Sequence, residues 1–203
     1  MNRKLWTLLI PVVILGLAAL VYRQAPRFPQ EGSAAVIFAR DMRLHHAQAA
    51  ELSLHLLERP VSKEVRLLAG DILVTQEAQI GQMGGWLDIW GLPFSGRQAP
   101  MAGMNRLSMG MATDAQVNSL DTLSPRQAEI QYLRLMIQHH RGGVLMAGQG
   151  LKSGVPQVEV LAQAIVNSQT AEISLMAGML RQRGAAVAVG LPGGSMNGMP
   201  MKP

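Results

Sequence analysis

The chain has 203 residues, 48% of them hydrophobic and only 15% charged, which is enough to bury a sizeable core and too apolar for a disordered chain. Its net charge of +5 and pI near 10.2 are thinly spread, with no basic run longer than two residues and only 4% aromatics, which argues against a nucleic-acid partner. The absence of cysteine excludes disulfides, thiolate metal sites, iron–sulfur clusters, thiol catalysis and a lipid-modified cysteine anchor; soft-ligand chemistry is left to 14 methionines and 5 histidines.

Leu5 to Val21 is an almost uninterrupted apolar run behind Arg3 and Lys4, the layout of a secretory signal or a single membrane-spanning anchor. It ends in Ala18-Ala19-Leu20-Val21-Tyr22-Arg23, bulky where a peptidase needs small residues. Residues 1–22 therefore read as an N-terminal membrane helix, with the body extracytoplasmic, in the periplasm or at the cell surface. Cleavage would instead give a secreted protein. Residues 23–32, with Pro26 and Pro29, read as a linker.

From Ser33, a plausible N-cap, apolar residues recur at helical spacing through Val36, Phe38, Met42, Leu44, Leu52 and Leu56, predicting a first helix that stops before Pro60. A second is predicted from about Ser62 to Trp90, carrying Val65, Leu68, Ile72, Met83 and Leu87 and halted by Gly91-Leu92-Pro93. Residues 33–90 then form an antiparallel hairpin. Residues 91–123 are a linker rich in Gly, Ser, Pro and Met, with a short helix predicted after Thr113, where Thr113-x-x-Gln116 has the form of a capping box. Ser124-Pro125-x-Gln127 starts a third helix reaching about Gln149. The fourth runs from Pro156 to Arg183 with Gly184 as its cap, and residues 185–203 read as a flexible Met-rich tail.

The hairpin 124–184 repeats the hairpin 33–90. Met42-x-x-His45-His46 recurs as Met136-x-x-His139-His140, 94 residues further on. Leu68-Ala69-x-x-Ile72-x-x-x-Gln76-x-x-x-Ile80-x-x-Met83 recurs as Leu161-Ala162-x-x-Ile165-x-x-x-Gln169-x-x-x-Ile173-x-x-Met176, one residue closer, so a single insertion separates the helices and leaves both in register. Two such hairpins bury their apolar stripes most simply as an all-α four-helix bundle spanning residues 33–184, with one long crossover.

Residues three and four apart share a helix face, so each cassette offers one thioether and two imidazoles within a turn. Thioethers suit Cu(I), and by the same logic Ag(I) as its surrogate, while imidazole also accepts zinc. A di-iron carboxylate centre would need Glu-x-x-His, which occurs nowhere here. Met42, His45, His46, Met136, His139 and His140 are the candidate metal ligands. Gln76 and Gln169 are candidate orienting groups, as is Glu172, on the same face as Gln169 and matched by Gln79 in the first hairpin. Glu77 and Glu129 are weaker candidates for that role. Met83 and Met176 are auxiliary sulfurs. The competing reading makes each methionine core filler and each histidine a hydrogen-bonded core residue. His55 stands outside the pattern and reads as structural or surface.

Met101, Met104, Met109 and Met111 in the linker, and Met196, Met199 and Met201 in the tail, lie where no core is expected, as mobile thioethers that gather around Cu(I) or as low-complexity drift. If histidine dominates the ligation, affinity is expected to fall below about pH 6. No nucleophile–base pair appears, so no catalytic residue is predicted; a metal-exchange protein is an expected partner.

Phe38-x-x-x-Met42-x-x-His45-His46-x-x-Ala49 and Tyr132-Leu133-x-x-Met136-Ile137-x-His139-His140-x-Gly142, each followed by a Gln-x-x-x-Ile segment, resemble the bacterial domain of unknown function 305 family over about Val36 to Leu180. Met101-x-Gly103-Met104 is similar to that family's linker. The resemblance implies a ferritin-like four-helix fold, export or membrane attachment, and metal association of the two Met-x-x-His-His cassettes, since the family includes periplasmic copper-binding proteins implicated in copper resistance. Three departures stand out. Glu129 replaces a usual aspartate, Gln79 a usual glutamate, and Leu52 stands where the second repeat keeps Met146, so the second hairpin is expected to bind more tightly.

Overall fold

Five helices account for most of residues 28–187, the part of the chain that the computed structural model describes. The N-terminal run 1–22 and the tail methionines Met196, Met199 and Met201 lie outside the described residues. Among the described residues no helix is long and apolar enough to cross a membrane. They contain no strand.

Helix α1 spans Ala34–Leu57, α2 Lys63–Ile89, α3 Asp114–Thr122, α4 Pro125–Gly150 and α5 Pro156–Gln182. Their ends follow local chemistry. Gln116 Oε1 accepts from the Thr113 N–H at 2.8 Å while Thr113 Oγ1 accepts from the Gln116 N–H at 3.2 Å, which starts α3. Pro125 opens α4, where its missing N–H costs nothing. Gly184, at φ +68°, lets the Ala185 N–H reach back to the Leu180 carbonyl at 3.0 Å and stops α5.

Each hairpin packs on itself, α1 along α2 and α4 along α5, and the two hairpins meet chiefly through α1 and α4; the short α3 sits against α1 and α4. Two apolar clusters form the core. One joins Leu52 and Leu56 of α1, Leu68 and Ile72 of α2, Tyr132, Leu133 and Met136 of α4, and Met176 and Leu180 of α5. The other joins Phe38 and Met42 of α1, Met83 and Leu87 of α2, Met146 of α4, and Leu161 and Ile165 of α5. Along every long helix a buried polar position falls between the clusters: His45 and His46 on α1, Gln76 on α2, His139 and His140 on α4, Gln169 on α5. The duplication thus sends Met42 and Met83 to one side of a polar layer and their counterparts Met136 and Met176 to the other.

Hydrogen bonds lock the ends. Glu129 of α4 accepts from the Ser62 N–H at 2.6 Å and from Arg183 Nε at 2.7 Å, joining the start of α2 to the end of α5. At the opposite end Arg40 donates to Glu31 and to the Pro93 carbonyl. His55 pairs with Asp121 at 2.8 Å and thereby docks α3, a structural role at the surface.

The linker corrects an expectation. Met101 and Met111 are buried, Met104 and Met109 are half-buried, and all four pack in the cluster that holds Met42, Met83 and Met146. They are core residues, because the linker is not loose chain: buried or half-buried polar groups of α1 hold its backbone. Asp41 accepts the Met101 N–H at 2.6 Å, and the Gln48 amide exchanges two hydrogen bonds with Ala112, at 2.7 and 2.9 Å. Residues 101–112 form a strap across α1 and α4.

Candidate metal centre

The 100° step between adjacent helix positions separates the histidines of each pair. His45 and His139 point into the α1–α4 seam, where their rings stack with centroids 3.7 Å apart and planes 30° apart. His46 turns toward α2 and His140 toward α5, each about 6 Å from its neighbour (6.3 and 6.2 Å). All four rings have zero exposure. The two cassettes are therefore one layer.

Each ring is held through Nε2. His45 Nε2 lies 3.0 Å from the Met109 carbonyl of the strap, and His139 Nε2 lies 2.9 Å from the His45 carbonyl. His46 Nε2 is 2.7 Å from Gln79 Oε1 and His140 Nε2 is 2.6 Å from Glu172 Oε2. Carbonyl and carboxylate oxygens can only accept, so every Nε2 carries a hydrogen, and in the neutral ring Nδ1 then keeps its lone pair. All four Nδ1 atoms are buried without a hydrogen-bond partner.

Burial favours the neutral form of His45, His46 and His139. It lowers His45 to about 4, against a partial offset from the Met109 carbonyl, and His46 to about 3, with His45 adding repulsion. His139 falls well below the usual value for the same reason, aided by its three histidine neighbours. At His45 and His46 proton competition is therefore expected to begin below about pH 6, toward about 4 and about 3.

Sequence-predicted residues distribute unevenly around this layer. Met42 and Met136 are fully buried on the cassette faces, and Met83 and Met176 are fully buried in the flanking clusters. Gln76 and Gln169 are buried, yet neither meets a histidine: each keeps an unpartnered Oε1, and that of Gln169 lies where a Cβ on Gly143 would stand 2.3 Å away. The imidazole partners are Gln79 and Glu172, one turn further along. Glu77 is exposed, and Glu129 serves the bundle end. Sequence reasoning missed the two backbone acceptors, the Met109 and His45 carbonyls. One signal for the strap existed. Gly142 stands where the first repeat has Gln48, and a Cβ on Gly142 would lie 1.6 Å from the Met109 oxygen. Gly110, at φ +76°, is equally committed, since a Cβ there would lie 2.0 Å from the Gln138 carbonyl.

Four buried Nδ1 atoms, on helix faces shared with the thioethers of Met42 and Met136, make a donor set for a soft or borderline ion. Among the described residues no three His, Asp or Glu side chains converge as a ready-made cage. Nitrogen and carboxylate alone thus do not complete a site, whereas thioether sulfur is abundant on both sides.

No curated protein matches the chain. Solved structures do. A DUF305 protein from Streptomyces coelicolor, described as secreted, is 48% identical, aligning 77% of this chain with 97% of its own at a TM-score of 0.72. A DUF305 fragment from Deinococcus radiodurans is 43% identical, with coverages of 76% and 99% and a TM-score of 0.68. CopM in its Cu(I)-bound form is 27% identical, with coverages of 73% and 96% and a TM-score of 0.57. The family profile described as domain of unknown function (DUF305) matches residues 35–180, and the chain belongs to that family.

Proposed function

We propose that the chain is an extracytoplasmic copper-binding protein that holds Cu(I), with Ag(I) as surrogate, on histidine Nδ1 atoms and methionine sulfurs of the buried layer. The observation that carries this reading is that all four imidazoles are tied through Nε2–H to an oxygen and offer an unpartnered, buried Nδ1. Ligating histidines almost always have this arrangement, the second nitrogen donating to a carbonyl or carboxylate. The soft thioethers of Met42 and Met136 favour a monovalent copper or silver ion; zinc is the alternative where imidazole dominates. The CopM relative, solved with Cu(I), supports the same ion.

In this reading the long helices form a ferritin-like four-helix arrangement without its oxidase chemistry, because among the described residues Glu172 is the one carboxylate hydrogen-bonded to the histidine layer. The protein buffers the ion, confers resistance or hands it to a partner. The Glu172 carboxylate backs the Nε2–H of His140 where His46 has only the Gln79 amide, so the second hairpin binds more tightly. Export through the N-terminal run of residues 1–22 fits the secreted Streptomyces relative.

Nitrogen-15 NMR of the histidine side chains tests this directly. The apo chain is expected to give four Nε2–H tautomers, and stoichiometric Ag(I) is expected to shift the Nδ1 resonances. Competition with a chromophoric Cu(I) chelator supplies the affinity, read in a full-length background with Met196, Met199 and Met201 changed to Leu. Unchanged competition after His45, His46, His139 and His140 are changed to Ala would overturn the reading and leave the histidines as hydrogen-bonded core.

A further inference from the structure

The histidine layer has no route to solvent through its helices, since all four rings have zero exposure. The covering element whose path is not fixed by helical hydrogen bonding is the strap, and it bears directly on the layer. The Met109 carbonyl receives the His45 Nε2–H, and the strap backbone lies against α4 at Gln138 and Gly142, flanking His139 and His140.

That strap is lined with sulfur. Met101, Met104, Met109 and Met111 join Met42, Met83 and Met146 in one contiguous cluster, seven thioethers on the side of the layer that the strap covers. The cluster reaches the surface at the half-buried Met104. Met104 lines a cavity of about 400 Å³ together with Glu31, Arg40, Asp41, Arg97 and Pro100. Two carboxylates and two guanidiniums balance at this mouth, and Arg40 is already paired with Glu31. The mouth therefore offers no excess negative charge to draw hard cations, and the group that discriminates there is the soft thioether. Met101 adds a second sign of a specialised segment. It is the one non-glycine among the described residues with positive φ, at +59°, held there by the Asp41 carboxylate on its N–H.

We propose that the strap methionines are the entry port for a soft monovalent cation, taking Cu(I) or Ag(I) from the cavity at Met104 and passing it by thioether exchange to Met42 and His45. Only metal–ligand contacts change, sulfur for sulfur along the strap and then sulfur for the His45 nitrogen, and the ion keeps its oxidation state. This rests on the function proposed above and adds its kinetics: the strap sets how fast the ion arrives, and the histidine layer sets how tightly it stays.

The test replaces Met101, Met104, Met109 and Met111 with Leu, which keeps volume and apolarity and removes sulfur alone. The full-length chain, with tail methionines changed to Leu in every sample, is mixed in a stopped-flow instrument with Cu(I) held by a chromophoric chelator. The fourfold variant is expected to take up Cu(I) about tenfold more slowly while its equilibrium competition stays unchanged. Uptake as fast as in the parent would overturn the port. A matching fall in equilibrium affinity would also overturn it, making the strap sulfurs part of the final site. Failure of the parent to take Cu(I) at all would sink the function itself, a distinguishable result. Should the fourfold variant not fold, M104L and M109L, at half-buried positions, carry the same measurement with the same criteria.

Discussion

The rings of His45 and His139 stack 3.7 Å apart across the α1–α4 seam, and the backbone carbonyl of His45 accepts the Nε2–H of His139. One residue of the first cassette thus both orients and covers its counterpart in the second. A pair of imidazoles this close cannot both be charged, and burial already disfavours the first proton. Stability should record this. His45 is lowered from 6.5 to about 4 and His46 to about 3, so the unfolded chain binds more protons than the folded one between those values. The stabilisation is complete above 6.5 and is lost as pH falls toward 4. At about 1.4 kcal/mol per pKa unit, His45 alone is worth on the order of 3 kcal/mol over that interval. Denaturant unfolding of the apo chain at pH 7 and pH 5 measures it, and equal midpoints would contradict neutral burial.

The outer histidines differ in one atom type: His140 faces the Glu172 carboxylate at 2.6 Å and His46 the Gln79 amide at 2.7 Å. A carboxylate behind an imidazole raises its basicity as a ligand. Glu172→Gln keeps the geometry and removes the charge, and should weaken Cu(I) binding about 10-fold to 100-fold. Gln79→Glu should strengthen it at the first hairpin. Chelator competition on the two variants reads both. Equal affinities for parent and Glu172→Gln would mean that His140 contributes no bond to the ion.

Much of this arrangement was legible before any coordinates. Helix ends follow local signals, Gly184 for α5 and the Thr113 box for α3, and local signals survive in a single sequence. The repeat placed Gln79 and Glu172 at matched positions, and both meet a histidine. What escaped was nonlocal. Gln76 and Gln169 are candidates on spacing alone beside Glu172, yet one helical turn decides which side chain reaches a ring, and that turn depends on how the helices of each hairpin sit against one another. The strap escaped for a related reason. Its Gly- and Met-rich composition reads as loose chain, because the groups that immobilise it, Asp41 and Gln48, lie on another element and bond its backbone.

Gly142 tests that immobilisation. A Cβ there would lie 1.6 Å from the Met109 carbonyl oxygen, and neither partner can move without shifting a helix or the strap. Gly142→Ala should therefore displace the strap, break the His45–Met109 hydrogen bond and cost about 2 kcal/mol as overpacking. Hydrogen exchange gives the local readout. The Met101 and Ala112 amides, protected by Asp41 and Gln48 in the parent, should exchange faster in the variant while the α2 core amides keep their order of protection. Gly148, with nothing within 4 Å of its would-be Cβ, is the control position, and Gly148→Ala should leave the strap amides unchanged.

A second acid-sensitive element sits far from the histidines, and separating the two checks both. Glu129 binds the Ser62 N–H and the Arg183 guanidinium at the end of the bundle. Burial alone would raise its carboxyl, but the Ser62 N–H and Arg183 outweigh that and hold it below its usual value of 4.5. The sign follows: the stabilisation is present above 4.5 and is lost as pH falls below it, after most of the histidine contribution has gone. Glu129→Gln removes the charge from the Arg183 pair and should lower stability at pH 7 by about 1–3 kcal/mol. It should leave the loss between pH 6.5 and 4.5 intact, since the histidines cause that loss. A parallel loss of both components on this one substitution would show that the acid response belongs to the bundle end, and that the rings of the buried layer do not govern it.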